Sequence, residues 1–195
     1  MQEEKRVVFR TGKKVILRPM RKSTDLEACL RWINDPEVTR FLVARFPTTE
    51  TMEVEWFDSQ GKSKNDVILA IETLPEHVLI GTMGLHRISW EDGVATTGAI
   101  IGEKEYWGKG YGKEAKMLLL DYDFNTLNLR KICSSVKAFN GRSLSYNKRC
   151  GYQEEGRRVK QFFVDGEYHD EILLAVFRED WLPLWLEYQK TGEVR

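Results

Sequence analysis

The sequence predicts a mixed α/β fold. Apolar segments with the character of strands alternate with segments in which apolar residues recur at the three- and four-residue spacing of an amphipathic helix. A length of 195 residues suits one domain with a core of ordinary size. Because no repeat, low-complexity tract or linker divides the chain, we expect a single domain over residues 1–195.

The first third of the chain predicts one strand and three helices. The segment VILRPM (15–20) reads as a strand, and Ser23 opens a helix whose apolar stripe comprises Leu26, Cys29, Leu30 and Ile33. In the following NDPE, Asp35 can cap a second helix, with Pro36 at its first position, where the missing N–H costs nothing. A third short helix is expected to end at Gly61.

The middle of the chain predicts three strands and a long helix. The strands are 67–72, 78–90 and 94–102, and the first is apolar enough to be buried on both faces. An amphipathic helix from Lys113 to about Thr126 follows from one stripe of side chains: Ala115, Leu118, Leu119 and Tyr122.

The last third predicts a strand, a short helix, a hairpin and a terminal helix. KICSSV (131–136) is the strand, and GRSLSYNKRC is the helix, which ends at Gly151. Asp165-Gly166 between QFFV and YHDEILLAVF is a strong hairpin signal. A small helix at 180–190 rests on Leu182, Trp185 and Leu186. The sum is a mixed sheet of about seven strands with flanking helices.

The charge balance argues against nucleic acid or a membrane as a partner. Thirty basic and thirty acidic side chains cancel, and the pI is about 6.9, so any anionic ligand requires a local site. The opening MQEEKRVVFR lacks the apolar segment of a signal peptide. No apolar run approaches the roughly 20 residues of a membrane span. We therefore expect a cytoplasmic protein.

Cysteines and histidines are few and widely spaced. The three cysteines are odd in number, which suits reduced thiols: Cys29, Cys133 and Cys150. The histidines form no HExxH motif and no CxxC motif accompanies them: His77, His86 and His169. The spacing predicts no metal site.

The stretch YWGKGYGKEA (106–115) has glycine at every second position, at Gly108, Gly110 and Gly112. A P-loop is excluded because its glycines are spaced differently and because Glu114 stands where a magnesium-binding hydroxyl belongs. The dinucleotide fingerprint is matched formally by Gly110, Gly112 and Ala115. It also requires a carboxylate after the next strand, and 131–136 is followed by none.

The same stretch predicts an anion site at the start of a helix. Successive N–H groups from about Lys109 to Lys113 can point into the loop, and the helix adds the positive end of its dipole. Glycine lets phosphate oxygens approach without a Cβ in the way. The alternative is a glycine-rich turn between strand and helix with no ligand.

Several segments together resemble the GNAT acetyltransferases. Gly110-Tyr111-Gly112 fits the glycines of their [QR]-x-x-G-x-[GA] loop, and NGRSLSYNKRCGY resembles their N-x-x-[SA]-(x)-K-x-G-[FY] element. The segment LRPMRKSTDLEACLRWINDPEV resembles the opening of the ribosomal-protein N-terminal acetyltransferases within that superfamily. The resemblance covers about residues 14–181, in order.

The resemblance implies a GNAT fold in which the fourth and fifth strands of a twisted sheet splay apart. Acetyl-CoA would lie in that cleft as acyl donor, without a metal. The backbone groups implied for pantetheine belong to Ile100, Ile101 and Gly102. The pyrophosphate loop would comprise Trp107, Gly108, Lys109, Gly110, Tyr111, Gly112 and Lys113. The following helix would contribute Asn140, Ser143, Asn147 and Arg149, with Lys148 as an alternative to Arg149. Asn140 has a second interpretation as the cap of that helix.

The catalytic residues are less clearly marked. Trp107 occupies the first loop position, where glutamine or arginine is usual, and Thr96 replaces a glutamate that acts as base in some members. Asn147 stands where a tyrosine acid is usual, and Tyr146 is one position away, about 100° around a helix. The candidates that remain for acid and base are Glu103, His86 and Tyr146.

The acceptor is the most open question. Trp32, Asn34 and Glu37 resemble residues on the acceptor side of the ribosomal branch, and His86 is a further candidate there. We expect a protein or peptide N-terminus or a small amino compound, with a polyamine or an amino sugar as alternatives. A non-catalytic acyl-CoA-binding or sensor module is the rival class. Either a monomer or a homodimer fits the sequence.

Overall fold

The computed structural model describes residues 7–194 and contains one eight-stranded mixed sheet with helices on both faces. Its strand order is β1-β2-β3-β4-β5-β6-β8-β7, and all neighbours are antiparallel except the parallel pair β5 and β6. This confirms the predicted GNAT-type fold, with one strand more than expected.

The bounds of the elements are as follows. The strands are Arg10–Thr11 (β1), Val15–Pro19 (β2), Val67–Thr73 (β3), Leu79–Ser89 (β4), Val94–Ile101 (β5), Lys131–Lys137 (β6), Gln153–Val164 (β7) and Glu167–Phe177 (β8). The helices are Lys22–Ile33 (α1), Pro36–Thr39 (α2), Glu50–Ser59 (α3), Tyr111–Asn125 (α4), Gly141–Arg149 (α5) and Arg178–Thr191 (α6), with a 3-10 turn at Lys104–Tyr106.

The additional strand is β1, which is two residues long and pairs with β2. A segment this short carries no recognisable alternation, so the sequence did not reveal it. Strand β7 also begins well before the predicted QFFV, at Gln153. Its first half is polar and exposed because it forms the edge of the sheet, and only its pairing with β8 makes it a strand.

Helix α1 buries a different stripe from the one predicted. Of the predicted stripe only Cys29 is buried, together with Asp25 and Trp32, whereas Leu26, Leu30 and Ile33 are only partly buried. The reason is an ion pair in the core: the Arg18 guanidinium donates to both oxygens of Asp25 at 2.7 and 2.8 Å, and these bonds turn the helix toward β2. Sequence patterning assigns an aspartate to the solvent side and therefore missed it.

Helix α6 shows a similar rotation. Trp181, Trp185 and Tyr188 are buried, while Leu182 and Leu186 remain substantially exposed. The aromatic side chains pack in series on the buried face: Trp181 is stacked on Trp185 at 5.5 Å, and Trp185 is tilted against Tyr188 at 5.4 Å, both between ring centroids. Of the predicted stripe, only Trp185 faces the core.

Strands β5 and β6 part soon after they meet. They pair only through Val94–Thr96 and Lys131–Cys133, and beyond those residues the two strands diverge. Because β1 was not predicted, β5 and β6 correspond to the fourth and fifth strands of the sequence prediction. The predicted splay between them is confirmed. One face of β5 packs on α4 through Ala95 and Ile101, and the other meets α1 and α3 through Ile100.

Residues 7–194 contain neither a membrane-spanning helix nor a cluster of metal-ligating side chains. No helix there is both long and apolar enough to cross a membrane. No group of three or more histidine, cysteine, aspartate or glutamate side chains converges there as a metal site would require.

Candidate active site

A cavity of about 520 Å³ opens where β5 and β6 diverge. We call it the cleft. It has the size of a site for a small molecule or cofactor. Its lining is Val38, Phe41, Leu42, Ala99, Ile100, Ile101, Tyr106, Trp107, Gly108, Gly110, Gly112, Lys113, Asn140, Gly141, Arg142, Ser143, Ser145, Tyr146 and Arg149. Most of the residues predicted for acetyl-CoA binding are therefore together in one place.

The glycine stretch forms the anion-type loop at one end of the cleft. Gly108 and Gly110 have φ of 74° and 89°, which glycine adopts without strain. Gly110 is the N-cap of α4, so the helix begins at Tyr111, two residues before the predicted start. The N–H groups of Tyr111, Gly112 and Lys113 lie in the first turn, where no carbonyl of their own helix can accept from them.

Gly112 has no evident structural reason to be glycine. It is helical, and a Cβ there would meet only Ile101, at 3.5 Å, which is an ordinary contact. Alanine would also cost less than glycine inside a helix. Gly112 lines the cleft, so its lack of a Cβ leaves the backbone accessible from the cleft.

Glu114 holds the loop in place from behind. Its carboxylate accepts the backbone N–H groups of Lys13, Lys14 and Val15 at 3.0, 2.7 and 3.0 Å, and the hydroxyl of Tyr188 at 2.7 Å. These bonds fix the first turn of α4 against the start of β2. The carboxylate therefore points away from the cleft and does not repel an anion there.

Three cationic side chains line the cleft: Lys113, Arg142 and Arg149. Burial, together with the charge of Arg149, lowers the pKa of Lys113, and its Nζ donates to the carbonyl of Val194. Arg142 lies over the Trp107 ring at 4.2 Å. The side chain of the predicted Lys109 is exposed and does not line the cleft.

The backbone of β5 offers the cleft a different set of groups from the predicted one. The Gly102 N–H donates to Ile80 on the β4 side at 2.9 Å. Because peptide groups alternate along a strand, Ile100 also faces β4, and Ala99 and Ile101 face the cleft. The Ile101 carbonyl already accepts from Trp107 Nε1 at 2.6 Å. Of the three predicted residues, only Ile101 turns its backbone toward the cleft.

Helix α5 presents one face to the cleft. Arg142, Ser145, Tyr146 and Arg149 line it at the spacing of a single helical stripe. Asn147 lies outside that stripe, fully buried, and its Nδ2 donates to the Ser143 carbonyl at 2.9 Å. The cleft is therefore lined by Tyr146, although it is one position away from the usual tyrosine, and not by Asn147. Burial raises the pKa of the Tyr146 phenol.

Asn140 caps α5, as one of its two predicted interpretations requires, and it also lies at the cleft. Its Oδ1 accepts the Ser143 N–H at 3.1 Å and so caps α5. The same residue lines the cleft, together with Ser143. Capping uses only the oxygen, so the amide nitrogen is the group that a ligand can engage.

His86 is a residue of β4. Its side chain lies on the face of the sheet opposite Ala99 and Ile101, outside the cleft. It pairs with Thr96 in the sheet, and a Cβ at Gly98 would be 3.0 Å from its Nε2. Its Nδ1 is 3.7 Å from Asp66, longer than a hydrogen bond. Burial lowers the His86 pKa despite the opposing charge of Asp66. A second cavity of about 260 Å³ includes His86, Asp66 and Trp56 in its lining.

Glu103 is occupied within the protein. Its Oε1 accepts from Arg31 Nη2 and, at 3.1 Å, from Trp32 Nε1. It lines neither described cavity. The structure therefore does not bring it together with the other catalytic candidates.

The residues predicted for the acceptor side also have internal roles. Trp32 is buried against Gly102, where a Cβ would overlap its ring. Asn34 exchanges hydrogen bonds with Thr48 at 2.9 Å in both directions. Glu37 is paired with Lys104 at 3.1 Å, and its N–H donates to Asp35, which caps α2 as predicted. None of the three predicted residues lines either described cavity.

Sequence reasoning missed the aromatic and cationic part of the cleft. Phe41 and Leu42 follow α2 in a segment without periodicity, so no pattern marked them. Lys137 holds this segment, because its Nζ donates to the carbonyls of Arg40 at 2.8 Å and Leu42 at 2.6 Å. Arg142 is four residues before Tyr146 on α5 and therefore lies on the same helical face. This spacing is the sequence feature that could have identified Arg142.

The splayed strands, the glycine loop at a helix start and the capped α5 define a GNAT-type acetyltransferase site. The acetyltransferase (GNAT) domain family matches residues 14–153, and the chain belongs to that family of N-acetyltransferases. The uncharacterized N-acetyltransferase p20 of Bacillus licheniformis is 30% identical over 164 residues, which cover 80% of this chain and 89% of that protein. The enzyme class expected from the sequence is confirmed.

Two further similarities concern polyamine enzymes. The spermidine N(1)-acetyltransferase of Escherichia coli K12 is 34% identical over 94 residues, 48% of this chain and 49% of that protein. The crystal structure of the Vibrio cholerae spermidine N-acetyltransferase with CoA and spermine superposes with a TM-score of 0.80 at 25% identity, over 86% of this chain and 98% of that one.

The ribosomal branch suggested by the sequence has weaker support. A putative ribosomal N-acetyltransferase, YdaF of Bacillus subtilis, is 29% identical over 103 residues, 53% of this chain and 56% of that protein. The similarities therefore establish the GNAT family and do not establish that branch.

Proposed function

We propose that this enzyme binds acetyl-CoA in the cleft and transfers the acetyl group to a small primary amine by direct attack on the thioester. The observation that carries the proposal is the composition of the cleft. The glycine loop and three cations line one cavity, beside the strands β5 and β6 where these diverge. His86 lies on the opposite face of β5, where an acceptor can reach the same strand.

The residues of the cleft fit the donor. The free N–H groups of the first turn of α4 and the cations Lys113, Arg142 and Arg149 suit its phosphates. The cleft-facing peptide groups of Ala99 and the Asn140 amide suit the amides of pantetheine. The donor supplies the activated acetyl group.

His86 and Tyr146 are our candidates for base and acid. Because burial lowers the His86 pKa, its imidazole is neutral at pH 7 and can accept the proton of the attacking amine. Because the Tyr146 pKa is raised, its phenol keeps the proton that a departing thiolate needs. The C–N bond forms, the C–S bond breaks, and one proton moves to His86 while another moves from Tyr146 to sulfur.

The lining of the cleft favours an acceptor without multiple positive charges. Its three cations are assigned to the phosphates of the donor, its described lining residues include no carboxylate, and the part near α2 is apolar: Val38, Phe41, Leu42 and Trp107. A polycation entering here would lose hydration and would find no carboxylate to offset that loss. We therefore propose the α-amine of a peptide or a small amino compound with an apolar body.

A polyamine is the second candidate. It is favoured by the similarity to the Vibrio cholerae enzyme and by the second cavity, where Asp66 and Trp56 can both attract a cation. Asp66, however, already accepts from Ser63 Oγ at 2.6 Å and from the Arg87 N–H at 3.1 Å.

Acceptor assays separate these candidates. Thiol release from acetyl-CoA is measured with short peptides bearing a free N-terminus, with apolar monoamines, with amino sugars and with spermidine, and mass spectrometry identifies the product. We expect higher kcat/KM for peptides or monoamines than for spermidine. Robust turnover of spermidine with none on the peptides and monoamines would reverse the assignment.

Replacing His86 with glutamine tests the base. We expect kcat to fall about 10- to 100-fold, because the amine is partly neutral by itself and needs only an assisting base. His77→Asn is the matched control, since His77 lies 3.7 Å from Glu72 as His86 does from Asp66, and asparagine tolerates its φ of 58°. Equal activity of the two variants would exclude His86.

The pH dependence of the wild type follows from the same geometry. His86 acts only when neutral, and its lowered pKa places the acid limb of kcat below the ordinary histidine value of about 6.5. Above that limb, the rate rises as the acceptor amine loses its proton. The profile of His86→Gln should lack the acid limb, and an unchanged limb would assign it to another group.

A further inference from the structure

Lys116 is a fully buried lysine on α4 beneath the cleft. Its exposure is 0%, and its Nζ donates to Thr97 Oγ1 at 2.6 Å. Among residues 7–194, it forms no salt bridge with a carboxylate. Because an unpaired buried ammonium is costly to fold, such a residue requires an explanation beyond packing.

Thr97 connects this lysine to the point where β5 and β6 part. It follows Thr96, the last β5 residue that pairs with β6, and its hydroxyl reaches the Cys133 carbonyl on β6 at 3.3 Å. The same hydroxyl lies 3.1 Å from Tyr152 Oη. Ala99, two residues further along the same face of β5, lines the cleft, so Thr97 is about 7 Å below that lining.

The acidic groups and the histidine around Lys116 have pKa values shifted toward their neutral forms, whereas Lys113, one turn away on α4, is a second cation. Burial lowers the Lys116 pKa to about 8, so the amine is mostly charged at pH 7. Burial also raises the pKa values of the acidic groups that face it from α4, from α5 and its end, and from the start of β7: Asp123, Tyr146, Cys150 and Tyr152. His86, across the sheet on β4, is kept neutral by its lowered pKa. Lys116 is thus the fully buried cation of this region, and Lys113 and Arg149 are cations that line the cleft.

We propose that Lys116 is a positioning residue of the transfer reaction, which acts through Thr97 to hold the point where β5 and β6 part and which stabilises negative charge on the departing sulfur. The inference rests on the proposed binding of acetyl-CoA in the cleft. When the C–S bond breaks, the electron pair remains on sulfur. The Lys116 ammonium attracts that charge and gives up no proton itself.

The attraction has a measurable size. With the Lys116 charge about 10 Å from the sulfur and an effective dielectric constant near 20, the acid ionisation constant of the thiol rises roughly tenfold or more. The thiol of bound CoA should therefore ionise at lower pH in the wild type than in Lys116→Met, which replaces the cation with an apolar chain of similar size.

The experiment titrates the ultraviolet absorbance of the thiolate in CoA complexes, after calorimetry has established binding. The protein's own thiols interfere little, because burial raises the pKa values of Cys29 and Cys150 to about 12 and also raises that of Cys133. We expect the thiol ionisation constant to fall at least about tenfold in Lys116→Met. It should not change in Lys131→Met, a control that removes a lysine paired with Glu155 at the other end of β6.

Thr97→Val provides a second variant, which removes the hydroxyl and keeps the shape. We expect it to bind CoA and to lower kcat, with activity restored in Thr97→Ser. If CoA binds to folded Lys116→Met and the thiol ionises as in the wild type, this inference is overturned and the proposed function stands. If the wild type does not bind CoA, both are overturned.

Discussion

We expect Gly112→Ala to weaken acetyl-CoA binding about 10- to 100-fold without destabilising the protein. The added methyl group enters the cleft where Gly112 lines it, and it displaces an anion from the N–H groups of the first turn of α4. A lost hydrogen bond to a charged group costs about 1.5–3 kcal/mol, which gives that range. Within the protein the methyl meets only Ile101 at 3.5 Å, and alanine favours the helix.

Calorimetry of acetyl-CoA binding and thermal unfolding of the same variant measure the two effects. Gly156→Ala is the matched control. Gly156 is on β7, outside the cleft, and a Cβ there meets only Leu173 at 3.8 Å. Gly110 is a poorer test, since its φ of 89° makes any side chain strained with or without ligand. Unchanged affinity in Gly112→Ala would mean that the loop does not hold the donor.

We expect Glu114→Ala to lower the free energy of unfolding by about 3 kcal/mol or more. The substitution removes the acceptor for three backbone N–H groups at the start of β2 and for the Tyr188 hydroxyl. Glu114 is 4% exposed, so water cannot fully replace its carboxylate without opening the structure. The first turn of α4, and with it the glycine loop, would lose its attachment to the sheet.

Urea unfolding measures this loss as a shift of the midpoint at constant slope. Glu105→Ala is the control, because Glu105 is an exposed glutamate in the neighbouring 3-10 turn, and we expect its change to stay within about 0.5 kcal/mol. A loss below about 1 kcal/mol in Glu114→Ala would show that solvent reaches these donors easily.

Much of the donor side was predictable because its information is local. The glycine spacing, the amphipathic stripe of α4 and the Asp165-Gly166 hairpin each depend on residues close together in the chain. Backbone conformation and helical periodicity follow from such neighbours through φ preferences and side-chain spacing. The family motifs combined these local features in the right order, and the splay of β5 and β6 followed from them.

The choice between Tyr146 and Asn147 was not predictable in this way. One residue is about 100° of helix rotation, so the outcome depends on how α5 packs against α4. In the structure Tyr146 faces the cleft, while Asn147 is buried with its amide on the Ser143 carbonyl. A comparable rotation moved Asp25 of α1 into the core, where Arg18 pairs with it.

The sequence by itself determined the GNAT fold, the glycine loop at the start of α4 and the class of reaction. Only the tertiary structure decided which side chains meet around that loop. It turned Glu103 toward Arg31 and Trp32, set His86 over Gly98, and buried Lys116 beneath Thr97. The physical reason is that strand register and helix rotation depend on contacts between residues far apart in the chain, to which local propensity and periodicity are blind.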